Sequence, residues 1–331
     1  MRKLTTLSGM RPTGALHLGN YLGALKNFVI LQQEYQSYFM IADLHSITED
    51  FKPEQKREQI LSLATAYLAA GLDPERCTIF LQSFVPEHVE LSWIFASITP
   101  VGEMERMTQY KDLSLKHGER VSAGLFSYPL LMAADILLYK PEVVPVGDDQ
   151  KQHIELTSTI VKKFNRKFGD TFNTPKFTPT KASRVMSLGN PEKKMSKSEP
   201  NTCVFLLDSP DDITKKFKRA VTATSGGTTN TAVENLFTIM REFSDPNIVQ
   251  NFETAEKDGS IKYSEMKEQI ARDVSIGLAD FRDKYNHYAK RPKEVFEIIV
   301  EGSKRARTVA SKTLGEVREK IGLPLPPSSL Q

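Results

Sequence analysis

Two short segments carry residue types suited to handling phosphate. Pro12-Thr13-Gly14-Ala15-Leu16-His17-Leu18-Gly19-Asn20 lies near the start of the chain, and Lys193-Lys194-Met195-Ser196-Lys197-Ser198 lies far downstream. In the first, a β-leaning stretch over residues 4–8 meets Gly9, Pro12 and Gly14 and then a helical pattern. This reads as strand, tight turn, helix. Free N–H groups at a helix start attract phosphate, and the glycines let a nucleotide approach the backbone closely. His17 and Asn20 are three residues apart, share a helix face and can both donate to phosphate oxygens. The competing reading is a glycine turn whose His and Asn only cap the helix.

The second segment lies between Pro191 and Pro200. Its polarity predicts an exposed loop. Lys194 and Lys197 can converge on one anion, with Ser196 and Ser198 adding hydroxyl donors. Such donors count most where charge develops in a transition state. A solvated basic turn is the alternative. Together, and in this order, the two segments suggest ATP at a helix N-terminus and its departing pyrophosphate under a lysine loop, the arrangement of acid activation by adenylation.

Elements must hold these segments in register. Short apolar runs at residues 38–42 and 78–81 alternate with an amphipathic helix over residues 53–70, which presents Ile60, Leu63, Ala64, Tyr67 and Leu68 on one face and stops at Gly71. This alternation predicts an α/β fold, a Rossmann-like doubly wound parallel sheet with ligands at the carboxyl ends of its strands. Asp43 and His45 fall at such an end. Beyond Pro200 the pattern is helical. Helices are predicted after Ser209-Pro210-Asp211-Asp212 and over residues 235–243, 263–284 and 292–321, with no convincing strand. The expected division is a catalytic domain over 1–199 and an all-helical domain over 200–331; whether the last helix packs back on the first domain is open.

Residues 125–139 read as a helix that is apolar nearly all round, with Ser127 as cap and Pro129 in the first turn. Asp135 sits in its middle. A buried carboxylate needs a partner, either an Arg or backbone N–H or a donor on a ligand. Met132, three residues earlier, is core filling or a soft wall for an aromatic ring bearing one N–H. Next come the strand-like Val143-Val144-Pro145-Val146 and then Gly147-Asp148-Asp149-Gln150. Two acids and Gln150 exceed what one helix cap needs, leaving groups for ribose hydroxyls or a substrate ammonium.

Composition excludes several classes. The chain has 331 residues, 40% hydrophobic and 26% charged, with net charge +3. No strong basic field argues for nucleic acid, and the local lysine–arginine clusters read first as solvated faces. Two cysteines build neither a disulfide framework nor an all-cysteine zinc site and fit a cytoplasmic chain. No metal site of the protein's own is expected. The apolar stretch after Met1-Arg2-Lys3 is too short for a signal peptide, and no run is long enough to span a bilayer.

These residues resemble the class I aminoacyl-tRNA synthetases, most closely the bacterial tryptophanyl family. His17-Leu18-Gly19-Asn20 is similar to the HIGH motif, and Lys194-Met195-Ser196-Lys197-Ser198 is a complete KMSKS motif. Met132-Ala133-Ala134-Asp135-Ile136-Leu137-Leu138 resembles the family's tryptophan-binding helix. The segment from Val146 to His153 resembles its most specific stretch. The resemblance implies activation of tryptophan with ATP to an adenylate, transfer to tRNA(Trp), Mg²⁺ carried by the phosphates, a helical anticodon-binding domain and a homodimer.

The resemblance also implies roles. Asp135 would accept the indole N–H, with Met132, Val144 and Val146 along the ring and His45, Tyr128 and Gln150 near the amino acid. Arg11, Pro12, Thr13, Gly19, Asn20, Gly147, Asp148 and Asp149 would face ATP, with the Val185 backbone by the adenine. Lys194, Met195, Ser196, Lys197 and Ser198 would close on the pyrophosphate, and His17, Asn20, Lys194 and Lys197 would serve the chemistry. Departures are His17 where many relatives have Thr, Arg11 where many have Gln, Leu7 at an often aromatic position, and Asp148 for a common Glu. Two cysteines exclude the iron–sulfur cluster of some relatives. The alternatives are a tyrosyl-tRNA synthetase, which shares fold and motifs, and a non-catalytic RNA-binding paralogue.

Overall fold

The computed structural model describes residues 3–48, 50–107, 122–147, 150–179, 183–222 and 231–325. The strands are β1 (Thr5–Met10), β2 (Gln36–Ile41), β3 (Cys77–Leu81), β4 (Val143–Val146) and β5 (Lys176–Pro179). They form one parallel sheet in the order β3-β2-β1-β4-β5. Sequence predicted the first four to within a residue or two and missed β5, which has only four residues and no continuous apolar run.

Strands β2 and β3 are buried on both faces, as the interior of a parallel sheet requires. The period-two alternation of a strand divides its side chains between two cores. Phe39, Ile41, Ile79 and Leu81 enter one; Tyr38, Met40, Phe80 and Val144 enter the other. The strand order reverses between β1 and β4, so the crevice at their carboxyl ends is the expected ligand position in an open α/β sheet.

Through the first part of the chain the helices are α1 (Leu18–Asn20), α2 (Lys26–Glu34), α3 (Pro53–Ala69), α4 (Glu87–Ala96), α5 (Val101–Met104), α6 (Ala123–Leu138) and α7 (Lys151–Phe168). A π-helical turn, Tyr21–Leu25, joins α1 to α2. Helix α3 is buried on more than the predicted stripe: Thr65, Ala66 and Ala69 are also inside. Helix α6 begins earlier than predicted. Its cap is Ser122, whose hydroxyl accepts the Leu125 N–H, and Pro129 lies within the helix. Ser127 instead turns back and donates to the Ala123 carbonyl.

Beyond residue 200 the described elements are α8 (Pro210–Lys218), α9 (Thr231–Phe243), α10 (Pro246–Asp258), α11 (Tyr263–Gly277), α12 (Ala279–Ala289) and α13 (Pro292–Ile321). Ser209 caps α8 as expected. The run predicted over 263–284 is two helices, broken at Gly277 and Leu278, where a Cβ on Gly277 would press on the Phe243 ring. Helix α10 was missed although Asp245-Pro246 repeats the cap logic of Ser209-Pro210. Helix α13 packs against β3 and α4 as well as α12. Its Val295 and Ile299 belong to one core, and Ala306, Ala310, Leu314 and Val317 to the other.

Candidate active site

The segment after β1 is pinned by short antiparallel pairing: Leu18 N–H donates to the Val204 carbonyl at 2.8 Å and Leu206 N–H to the Leu16 carbonyl at 3.0 Å. Gly14, with φ of 100°, makes the turn that no L side chain adopts easily. His17 is the N-cap residue of α1, and the Asn20 Oδ1 accepts the His17 N–H at 3.1 Å. Capping is therefore part of what Asn20 does. Burial, reinforced by the Lys197 charge, pushes the His17 imidazole down to about 4, so the ring is neutral near pH 7.

The lysine segment is anchored at its base. Met195 N–H donates to the Val185 carbonyl at 3.1 Å and Ser187 N–H to the Lys193 carbonyl at 2.8 Å. Lys193, Lys194, Ser196 and Ser198 are exposed, as polarity predicted, but Met195 and Pro191 are buried. A Cβ placed on Gly19 would sit 3.8 Å from the Met195 Cβ, so the two segments touch through this methionine. The Ser196 and Ser198 hydroxyls share a hydrogen bond at 3.0 Å. Lys197 completes the junction by donating Nζ to the carbonyl and hydroxyl oxygens of Thr13, each at 3.1 Å. Burial lowers its ammonium from the ordinary value, with Arg11 adding to the effect against Cys203.

Asp135, on α6, is buried and held through both oxygens by donors that sequence reading did not assign to it. Its Oδ1 lies 2.8 Å from Gln82 Nε2 and 2.6 Å from His88 Nδ1; its Oδ2 lies 2.7 Å from His45 Nε2. Burial alone would raise the carboxyl, but the His45 and His88 rings outweigh it and hold the group well below the usual carboxylate range. An ionised Asp135 accepts only, so both ring nitrogens donate to it. The far nitrogen of His88, 2.9 Å from the Tyr139 hydroxyl, is then the acceptor in the neutral tautomer. A carboxylate offers about four lone-pair positions; three are taken, leaving one on Oδ2.

The bland expectation of an Arg or backbone partner for Asp135 is replaced by two histidines and a glutamine. Gln82 follows β3 directly, at the same end of the sheet that singled out His45. The ends of β2 and β3 are tied there by the Ser83 N–H donating to Asp43 Oδ1 at 3.0 Å. Thus the strand-end rule that found His45 could have found Gln82. His88 had no such signal, because it lies on α4 and its role exists only in three dimensions.

Tyr128 links this cluster to His153 of α7. Its ring meets His45 edge-on at 6.3 Å between centroids, and its hydroxyl lies 2.7 Å from His153 Nε2. Burial pushes the Tyr128 phenol up to about 12 against the Arg11 charge, and Arg11 also acts on Lys197. The Arg11 charge is thus felt at both Tyr128 and Lys197. Met132 lies within one turn of Asp135, and Met132 and Val146 are half-buried, as is Gln150; Val144 is buried. Gln150 N–H donates to the Gly147 carbonyl. Asp148 and Asp149 lie outside the described residues. A cavity of about 300 Å³ lies elsewhere, between residues 14–16, α3 and α12, and takes in none of the Asp135 cluster.

A sequence profile described as tRNA synthetases class I (W and Y) matches residues 1–278. The chain is 44% identical over 332 residues to a tryptophan--tRNA ligase of Corynebacterium efficiens, covering 97% of this chain and 95% of that protein. It is 45% identical over 324 residues to that of Bacillus anthracis, covering 96% and 97%. Among solved structures, tryptophanyl-tRNA synthetase from Campylobacter jejuni complexed with ADP and tryptophan superposes with a TM-score of 0.84 at 34% identity, covering 97% of this chain and all of the other.

Proposed function

The chain belongs to the class I tRNA synthetases of the tryptophan and tyrosine type, and from that premise we propose that it activates L-tryptophan with ATP and transfers it to tRNA(Trp). The relatives reported above, at 44% and 45% identity, are tryptophan ligases, which sets the tyrosyl alternative aside. The observation that carries the reading is the bond from Lys197 to Thr13, which brings the two phosphate segments into one site.

In the first step an oxygen of the already ionised tryptophan carboxylate attacks the α-phosphorus of ATP. The new O–P bond forms as the bond to the pyrophosphate oxygen breaks, and pyrophosphate leaves with the electron pair. No general base is required, so the protein's part is positioning and charge stabilisation. Lys194, Lys197 and the hydroxyls of Ser196 and Ser198 face the pyrophosphate; Arg11, Pro12, Thr13, Gly19 and Asn20 face the triphosphate, and neutral His17 contributes one N–H. Gly147, Asp148 and Asp149 serve the ribose, with Val185 at the adenine. In the second step the 2′-oxygen of the terminal tRNA adenosine bonds to the acyl carbon, the acyl–O bond to AMP breaks, AMP leaves with the electron pair, and the hydroxyl proton passes to a phosphate oxygen of AMP or to water.

Asp135 is assigned to the indole N–H, with Met132, Val144 and Val146 along the ring and His45, Tyr128 and Gln150 around the amino acid. Its ionisation and its one remaining acceptor position support this assignment. Mg²⁺ would be an ion carried by the phosphates, beside a junction that joins the Lys197 ammonium to neutral oxygens of Thr13. When bound it supplies charge neutralisation on those oxygens.

The same reading divides the chain into a catalytic domain over 1–199 and a helical anticodon-binding domain over 200–331. It makes the protein a cytoplasmic homodimer; among the described residues no helix is long and apolar enough to cross a membrane. Val89 and Trp93, one turn apart on α4, are 52% and 76% exposed, and Val101 nearby is 61% exposed. An apolar patch of this kind suits a subunit interface. The reading is tested by incubating the protein with ATP, Mg²⁺, labelled tryptophan and unfractionated tRNA. Label should enter acid-precipitable tRNA, and entry of tyrosine in its place would overturn the assignment.

A further inference from the structure

The long helix α13 grips the chain positions that immediately precede two of the three donors to Asp135. On β3, the edge strand of the sheet, Leu81 has an outward N–H that no neighbouring strand can take. It donates instead to the Ser303 hydroxyl of α13 at 3.1 Å. The contact is backbone-close, since a Cβ on neighbouring Gly302 would collide with the Ile79 carbonyl oxygen. The residue after Leu81 is Gln82, a donor to Asp135. On α4, buried Glu87 places Oε1 3.0 Å from Arg307 Nε and 2.6 Å from the Ser311 hydroxyl, both of α13. Its Oε2 is buried and meets no hydrogen-bond partner among the described residues, so the carboxylate is held through one oxygen. The residue after Glu87 is His88, the other donor to Asp135 Oδ1.

We propose that α13 is a positioning element for the tryptophan acceptor, with Ser303, Arg307 and Ser311 fixing Gln82 and His88 on Asp135. The inference rests on the tryptophan reading above. A buried carboxylate bound by three donors keeps its geometry only if the backbones carrying those donors are fixed. Two of the three are fixed from outside the sheet, by a helix whose other half packs among the helices that follow residue 200. Displacement of that helical layer therefore reaches the indole acceptor without touching the nucleotide side.

The experiment is tryptophan-dependent ATP–pyrophosphate exchange by the full chain carrying Arg307→Ala with Ser311→Ala. Loss of the charge-assisted bonds to Glu87 should raise KM for tryptophan about tenfold, while KM for ATP and kcat stay within about twofold. Arg307→Lys should restore most of the loss. Glu316→Ala, also on α13, removes the pair with Lys140 beyond the end of α6 but not the Glu87 contact and should leave KM for tryptophan unchanged. Ser311→Ala alone keeps the fold secure, because Ser311 is exposed and alanine favours the helix; it should raise KM in the same direction. Unchanged KM for tryptophan with a lowered Tm, or equal increases for both substrates, would overturn the inference. Absence of exchange in the unmodified protein would overturn the proposed function and this inference with it.

Discussion

Lys197 donates its ammonium to both the carbonyl and the hydroxyl oxygen of Thr13, each at 3.1 Å, across 184 residues of chain. In the proposed function the same ammonium serves the departing pyrophosphate.

Lys197→Ala should slow adenylate formation by on the order of 10², the usual cost of one transition-state donor. Tryptophan affinity should hardly change, because Asp135 and its partners lie outside the lysine segment. Single-turnover measurements separate the steps, and transfer from preformed adenylate to tRNA should be much less affected. An equal loss in both steps would make the segment a general structural element.

Asp135→Asn should cost both selectivity and stability. The amide offers a donor where Gln82, His88 and His45 already present donors, and breaking a buried ionic cluster of this kind costs about 3–5 kcal/mol. Urea unfolding gives the stability loss, and equilibrium dialysis gives tryptophan and ATP binding separately. Tryptophan binding should fall while ATP binding holds in the folded fraction; full retention of tryptophan binding would show that the acid serves only the core.

His17 gives a pH signature. Burial first, and Lys197 second, lower its folded value from 6.5 to about 4. Between those values the unfolded chain binds a proton that the native imidazole refuses. The stability attached to the neutral ring is complete above about pH 6.5 and is lost as pH falls toward about 4. The urea midpoint should decline through that window, and His17→Gln should flatten the decline. An unchanged slope in the variant would assign the titration to another group.

What the sequence made legible was what local chemistry dictates. Four of the five strands, the turn at Gly14, the cap at Ser209 and the stop of α13 each follow from residues within a turn or two. Asp135 stood out because an acid in an apolar helix demands an explanation. The explanation itself was not local: His88 and Gln82 come from two other elements, and nothing near Asp135 in sequence names them. Met195 was read as part of a polar loop, yet its burial beside Gly19 helps fix the loop. Ser127 with Pro129 two residues on has the local look of a cap and first turn, whereas the cap is Ser122, two residues before a glycine.

Trp93 is the chain's single tryptophan and is 76% exposed on α4. If that face joins two copies, its fluorescence should shift to shorter wavelength as concentration rises through the dimerisation range. Trp93→Lys should sediment as a monomer, since a charge at the centre of an apolar interface is left unpaired. Dimers of undiminished stability in the variant would place the interface elsewhere.

The most direct measurement is amino-acid-dependent ATP–pyrophosphate exchange across the standard amino acids. A site whose specific acceptor is satisfied by an indole N–H in an apolar pocket should favour tryptophan over phenylalanine and tyrosine by on the order of 10⁴. Exchange supported equally by tyrosine would contradict the account, whatever the fold and however well the two phosphate segments meet.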